Sequence, residues 1–137
     1  MQAVNWEAKT PCFGDMIRTK MQFYYHYGIF VSESEVIQFG LPNDPLRPSD
    51  QIRILSTDVY AFLQGGDIEV MVPDRSTRKK MRTPEQIVAA ARKRIGEGGY
   101  DILHNNCEHF ASDCVFGQPS SSFLQDVRSK LREKLQK

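Results

Sequence analysis

Phe23-Tyr24-Tyr25-His26-Tyr27-Gly28-Ile29-Phe30-Val31, followed by Ser32-Glu33-Ser34 and Glu35-Val36-Ile37-Gln38-Phe39, is the stretch from which the rest of the chain can be placed. β-Branched and aromatic residues crowd both runs and a polar trio separates them, which predicts a β-hairpin. Register then bears on chemistry, because alternate side chains face opposite sides of a sheet and a one-residue change in the loop flips one strand against the other. With Ser32 to Ser34 as a three-residue loop, Val31 pairs with Glu35 and Gly28 with Gln38. His26 and Gln38 are then diagonal neighbours on one face. A two-residue loop of Glu33-Ser34 puts them on opposite faces. The loop has no glycine to mark a left-handed position, so both registers stay open.

The second informative stretch is His104-Asn105-Asn106-Cys107-Glu108-His109-Phe110. Asparagines are good N-caps, and Phe110, Ala111, Cys114 and Val115 recur at helical spacing before Phe116-Gly117 stops them. Cys107 therefore falls in the first turn of a helix. Unpaired N–H groups and the positive end of the helix dipole favour an anion there, which predicts a lowered thiol pKa and a place for a developing oxyanion. A thiol near pKa 8.5 is only about 3% thiolate at pH 7, so a base is still required. The plainer alternative is that Cys107 is a small buried apolar residue, as free cysteines commonly are.

Three histidines compete for the role of base. His109 lies about 200° round the helix from Cys107 and points away. His104 precedes the helix and could reach the thiol or a loop carbonyl. His26 has a candidate orienter in Gln38, whose amide oxygen can accept the imidazole N–H. His104, Cys107, His109 and Cys114 are zinc-ligand types, but their spacing does not match the usual ligand pairs, and no metal or other cofactor is expected. A Cys107 to Cys114 disulfide would have to span about 10.5 Å of helix rise, beyond the reach of a disulfide.

Working outward, Asp15-Met16-Ile17-Arg18-Thr19 predicts a short strand after an irregular lead-in, and Gln51-Ile52-Arg53-Ile54-Leu55 another. Ser56, Thr57 or Asp58 caps a short helix over Val59 to Gln64, ended by Gly65-Gly66, and Ile68 to Val72 alternates as a strand. Residues 75–82 form a basic loop. Thr83-Pro84-Glu85-Gln86 starts a helix with a capping box, and Ile87, Val88, Ala91 and Ile95 give it a buried stripe. Residues 1–117 thus form one domain. Residues 118–137 are a linker followed by an amphipathic basic helix marked by Leu124, Val127, Leu131 and Leu135.

Composition narrows the function. The 137 residues suit a single core, and 18 Lys plus Arg against 17 Asp plus Glu leave a net charge of +1, so nucleic acid is not an expected partner. Three cysteines without framework spacing, and a start lacking a signal peptide's basic and apolar regions, point to a cytoplasmic protein. No apolar run approaches membrane-spanning length, so any membrane contact is peripheral, through the basic loop 75–82 and the C-terminal helix.

The His26-Tyr27-Gly28-Ile29-Phe30-Val31 strand, the polar residue twelve positions after the histidine, and Asn106-Cys107-Glu108-His109-Phe110 together resemble the lecithin:retinol acyltransferase family. That family includes the H-Ras-like suppressor phospholipase/acyltransferases and is related to NlpC-type peptidases through a permuted papain-like fold. The likeness runs from about Pro11 to Gly117 and thins between Leu41 and Tyr100. It implies an α+β fold, a small antiparallel sheet packed against helices, with Cys107 as nucleophile and His26 as general base. Gln38 stands where lipid-acting members have a second histidine. A neutral amide can orient the ring as the asparagine of papain-like triads does, so thiol chemistry survives while the substrate inference weakens. The resemblance further implies a thiol acyltransferase or phospholipase A-type hydrolase with phospholipid as acyl donor. The backbone N–H of Cys107 would hold the oxyanion, with Tyr25 as a second donor. Two alternatives are an NlpC-like peptidase or amidase and a non-catalytic interaction module.

Overall fold

A computed structural model describes residues 4–42, 48–101 and 105–117. The hairpin is central. Tyr25–Ser32 (β3) and Glu35–Phe39 (β4) pair in the middle of a six-stranded antiparallel sheet. Val4–Glu7 (β1), Met16–Lys20 (β2), Ile54–Thr57 (β5) and Glu69–Pro73 (β6) complete it, in the order β1-β6-β2-β3-β4-β5.

The two registers left open by the sequence are reconciled by a bulge. Ser32 pairs with Glu35, so the turn is the two-residue Glu33-Ser34, but the register shifts between Phe30 and Ser32. Val31 is the extra residue. It restores Phe30 opposite Val36 and Gly28 opposite Gln38, which returns His26 and Gln38 to one face.

Because both faces of the hairpin are covered, the middle of β3 and all of β4 after Glu35 are buried. On one face lie Pro84–Lys93 (α3) and Cys107–Phe116 (α4), whose Ile87, Val88, Ala91, Phe110, Ala111 and Val115 pack on Tyr27, Ile29, Ile37 and Phe39. On the other lies Val59–Leu63 (α1), whose Val59 and Phe62 pack on Ile17, Phe30, Val36 and Val70. Gly28 makes this second contact close: a Cβ there would lie 2.8 Å from a Phe62 ring carbon. The α3 capping box forms as expected, with Gln86 N–H on Thr83 Oγ1 and Thr83 N–H on Gln86 Oε1.

Several expectations are corrected. The lead-in contains β1, which pairs residue for residue with β6 and owes its existence to that distant partner. The basic loop contains a short helix, Arg75–Arg78 (α2), capped by the Asp74 carboxylate on Thr77 N–H. The strand expected at residues 51–55 starts later, at Ile54, after a single 3-10 turn over Ser49–Gln51. Helix α1 ends through Gln64 in the left-handed region (φ 49°), one residue before the glycines expected to end it. The C-terminal helix expected at residues 122–137 and His104 lie outside the described residues.

Candidate active site

Cys107 is the first residue of α4. Asn106 caps the helix, its Oδ1 accepting from the N–H groups of Glu108 (3.0 Å) and His109 (3.1 Å). His109 answers through Nδ1, which accepts the Asn106 N–H at 3.2 Å, so this histidine completes a capping box. Cys107 itself is 5% exposed, sealed into the core on the α4 face.

That burial corrects one sequence expectation. It pushes the thiol up to about 11, although backbone hydrogen bonds from Tyr27, Cys107 and Glu108 pull the other way and the Glu108 carboxylate adds to the rise. The helix end supplies donors to the sulfur, as expected, but removal from water outweighs them. The Cys107 thiol is therefore neutral at pH 7. The Tyr27 N–H belongs to the peptide that joins it to His26, so the sulfur meets the sheet at that peptide.

His26 and Gln38 are brought together. Both are buried, and His26 Nε2 lies 2.7 Å from Gln38 Oε1. Their ring and amide lie toward α1, with the imidazole and Phe62 ring centroids 5.0 Å apart. The pairing of β4 with β3 ends at Gly28 opposite Gln38, while β2 stays paired with β3 as far as Tyr25. Beside His26 the sheet is therefore open on the β4 side.

A third residue, overlooked in the sequence, extends this pair. Thr57 lies diagonally across from Gln38 on β5, because Val36 pairs with Thr57 and Gln38 with Leu55. Gln38 Nε2 donates to Thr57 Oγ1 at 2.6 Å, and Thr57 Oγ1 donates to the Asp58 carbonyl at 2.9 Å. In the sequence Thr57 reads as one of three possible helix caps, yet the cap is Asp58, which accepts from Ala61 N–H. The strand pairing alone reveals the other use of Thr57.

Tyr25 is half-buried and lies under the Arg18 guanidinium, 3.9 Å from its ring centroid, while Trp6 takes the same cation at 4.3 Å. The tyrosine whose backbone meets Cys107 is Tyr27. Its phenol is pushed up to about 12, chiefly by burial, with Glu108 adding and Arg18 opposing, so it stays protonated at neutral pH. Arg18 also pairs with Glu69 at 2.7 Å. Cys114 is buried and raised to about 12, whereas Cys12 is exposed. At the far end of α4, Arg82 N–H donates to the Val115 carbonyl at 2.8 Å.

The site thus sets a buried thiol at the start of α4 beside a strand whose imidazole is held by a neutral amide. The family model described as lecithin retinol acyltransferase matches residues 9–120, which include all three residues. The chain belongs to the lecithin retinol acyltransferase family. Members similar to it include the bovine protein named lecithin retinol acyltransferase, 28% identical over 146 residues, which cover 88% of this chain and 63% of the relative. The human protein of that name is 27% identical over the same length. A human family relative, phospholipase A and acyltransferase 3, is 24% identical over 127 residues, covering 85% of this chain and 78% of its own. The chain thus spans less than two thirds of the length of the first two relatives. Among the described residues no helix is long and apolar enough to cross a membrane.

Proposed function

We propose that this protein is a thiol-dependent acyltransferase or phospholipase A-type hydrolase that carries an acyl group as a thioester on Cys107, taken from a glycerophospholipid. The observation that carries this reading is the seat of the Cys107 sulfur on the peptide joining His26 to Tyr27, where β4 no longer pairs with β3. In this reading the imidazole, whose ring lies on the α1 side of β3, reaches the thiol on the α4 side through that opening. His26 takes the thiol proton as sulfur attacks the ester carbonyl, and the Cys107 N–H holds the oxyanion. The carbon–oxygen bond then breaks, His26 returns the proton to the departing lysolipid oxygen, and the thioester remains. Water, an alcohol or an amine, deprotonated by His26, resolves it. Tyr25 is proposed as a second oxyanion donor, and Tyr25→Phe tests that role.

The relatives' names, which include acyltransferase and phospholipase, support the reaction class, and the neutral thiol explains why a base is needed. The protein is incubated with mixed phospholipids beside Cys107→Ala. Expected products are lysolipid and an acyl mass increment on the peptide containing Cys107, both absent from the variant. Gln38 in place of a charged orienter favours one rival, a papain-like peptidase or amidase. Peptide cleavage without acylation of Cys107 by lipid would establish that rival, and silence on both substrates a binding module. A surface contact with anionic lipid through residues 75–82 is proposed as peripheral. It should weaken with salt in vesicle sedimentation.

A further inference from the structure

Because Gln38 is neutral and nearly symmetric in shape, its amide could face His26 with either end. The oxygen demands a protonated Nε2 and leaves the lone pair on Nδ1; the NH2 group demands the reverse. A charged partner would enforce one arrangement, but an amide does not. Something else has to choose.

We infer that Thr57 is the residue that sets the Gln38 amide and, through it, the protonation site of His26. The Thr57 hydroxyl donates to the Asp58 carbonyl, which can only accept. With its proton committed there, Thr57 Oγ1 turns a lone pair toward Gln38 and accepts from the NH2 group at 2.6 Å. The amide oxygen is then left facing His26 Nε2 at 2.7 Å, which must donate. Nδ1 consequently carries the lone pair that takes the thiol proton. The chain of bonds ends on Asp58, the cap of α1, so the ring is referred to a rigid helix end. Thr57 touches no reacting atom and acts as a positioning residue. The inference rests on the reading of His26 as base, although its first test does not need turnover.

Nitrogen NMR of the imidazole distinguishes the two neutral forms directly. In the wild type His26 is expected as the Nε2–H form alone. Thr57→Val keeps the shape but removes both hydrogen-bonding functions, and should yield a mixture of the two forms. Thr57→Ser should restore the single form. If turnover is present, Thr57→Val is expected to lower kcat about five- to tenfold with KM unchanged. A Gln38→Ala background should abolish that loss, because Thr57 acts only through the amide. A single Nε2–H form in folded Thr57→Val, or an equal loss in the Gln38→Ala background, would overturn the inference. Should Thr57→Val not fold, Thr57→Ala in the same two backgrounds gives the same comparison. Failure of the catalytic reading would appear separately, as an unacylated Cys107 in a protein whose His26 signal still responds to Thr57.

Discussion

Cys107 shows how two local forces compete at one atom. A helix start concentrates N–H donors, yet the sulfur is sealied from water by the side chains around it, and burial prevails by raising the thiol to about 11. Iodoacetamide at pH 7.5 is therefore expected to modify exposed Cys12 well ahead of Cys107 and Cys114, with labelling of Cys107 climbing about tenfold per pH unit toward 11. Peptide mapping checks the order. The roles within the site make a second prediction. Cys107→Ser and His26→Ala should each remove nearly all turnover, by about a thousandfold or more, whereas Gln38→Ala should leave a measurable remnant because it only orients the ring. Steady-state kinetics on one lipid substrate would show it, and equal losses would mean that Gln38 does more. The Cys107 position at a helix start was legible from capping chemistry, whereas strand alternation left the His26–Gln38 contact as one of two registers until the Val31 bulge decided it. The thiol's environment was not legible, since it depends on side chains from β3 and β4, remote in sequence.

The hairpin illustrates how an element can satisfy two readings. Its turn has two residues and its active register is that of a three-residue loop, with Val31 absorbing the difference. Deleting Val31 should therefore keep Phe30 opposite Val36 and leave the His26–Gln38 contact intact, at a modest cost in packing. Inserting a glycine after Val36 should carry Gln38 to the other face and reduce turnover at least to the level of Gln38→Ala. Activity and the imidazole NMR signal of the two variants give the comparison. A further prediction concerns the seam between β3 and α1. Gly28→Ala drives a methyl into the fully buried Phe62 ring and within 3.2 Å of Val36 Cγ1, so it should destabilise by about 1–3 kcal/mol in urea titration. Elements with local signals, such as the Thr83 cap and the Ile87, Val88 and Ala91 stripe of α3, were readable in advance, although Ile95, expected in that stripe, lies beyond the helix and is 44% exposed. The bulge was not readable, because its evidence is the register of the completed pair. Nor was β1, a four-residue strand defined by β6 more than sixty residues away.

Two thiols and a phenol in the folded protein hold their protons more tightly than they ordinarily would. Cys107 lies at about 11 against 9.0, Cys114 at about 12 against 9.0, and Tyr27 at about 12 against 10.0, each through burial first. The unfolded chain therefore loses these protons at lower pH than the folded one. Their contribution to stability is complete below pH 9 and drains away as the pH rises through 9 to 12. The urea midpoint should fall steadily over that window, and Cys114→Ala should flatten part of the decline. Alternation and capping marked individual strands and helices and the family resemblance implied the α+β architecture, while the strand order depended on pairings between remote segments that no single stretch announces. Helix α4 gives the molecule a direction: Cys107 opens it, and the Arg82 backbone closes on its last turn. Ten residues at 1.5 Å each separate the two poles by about 15 Å. An ionic tether at Arg82 would thus moor the protein by its stern, leaving the sulfur to be loaded from the opposite bow.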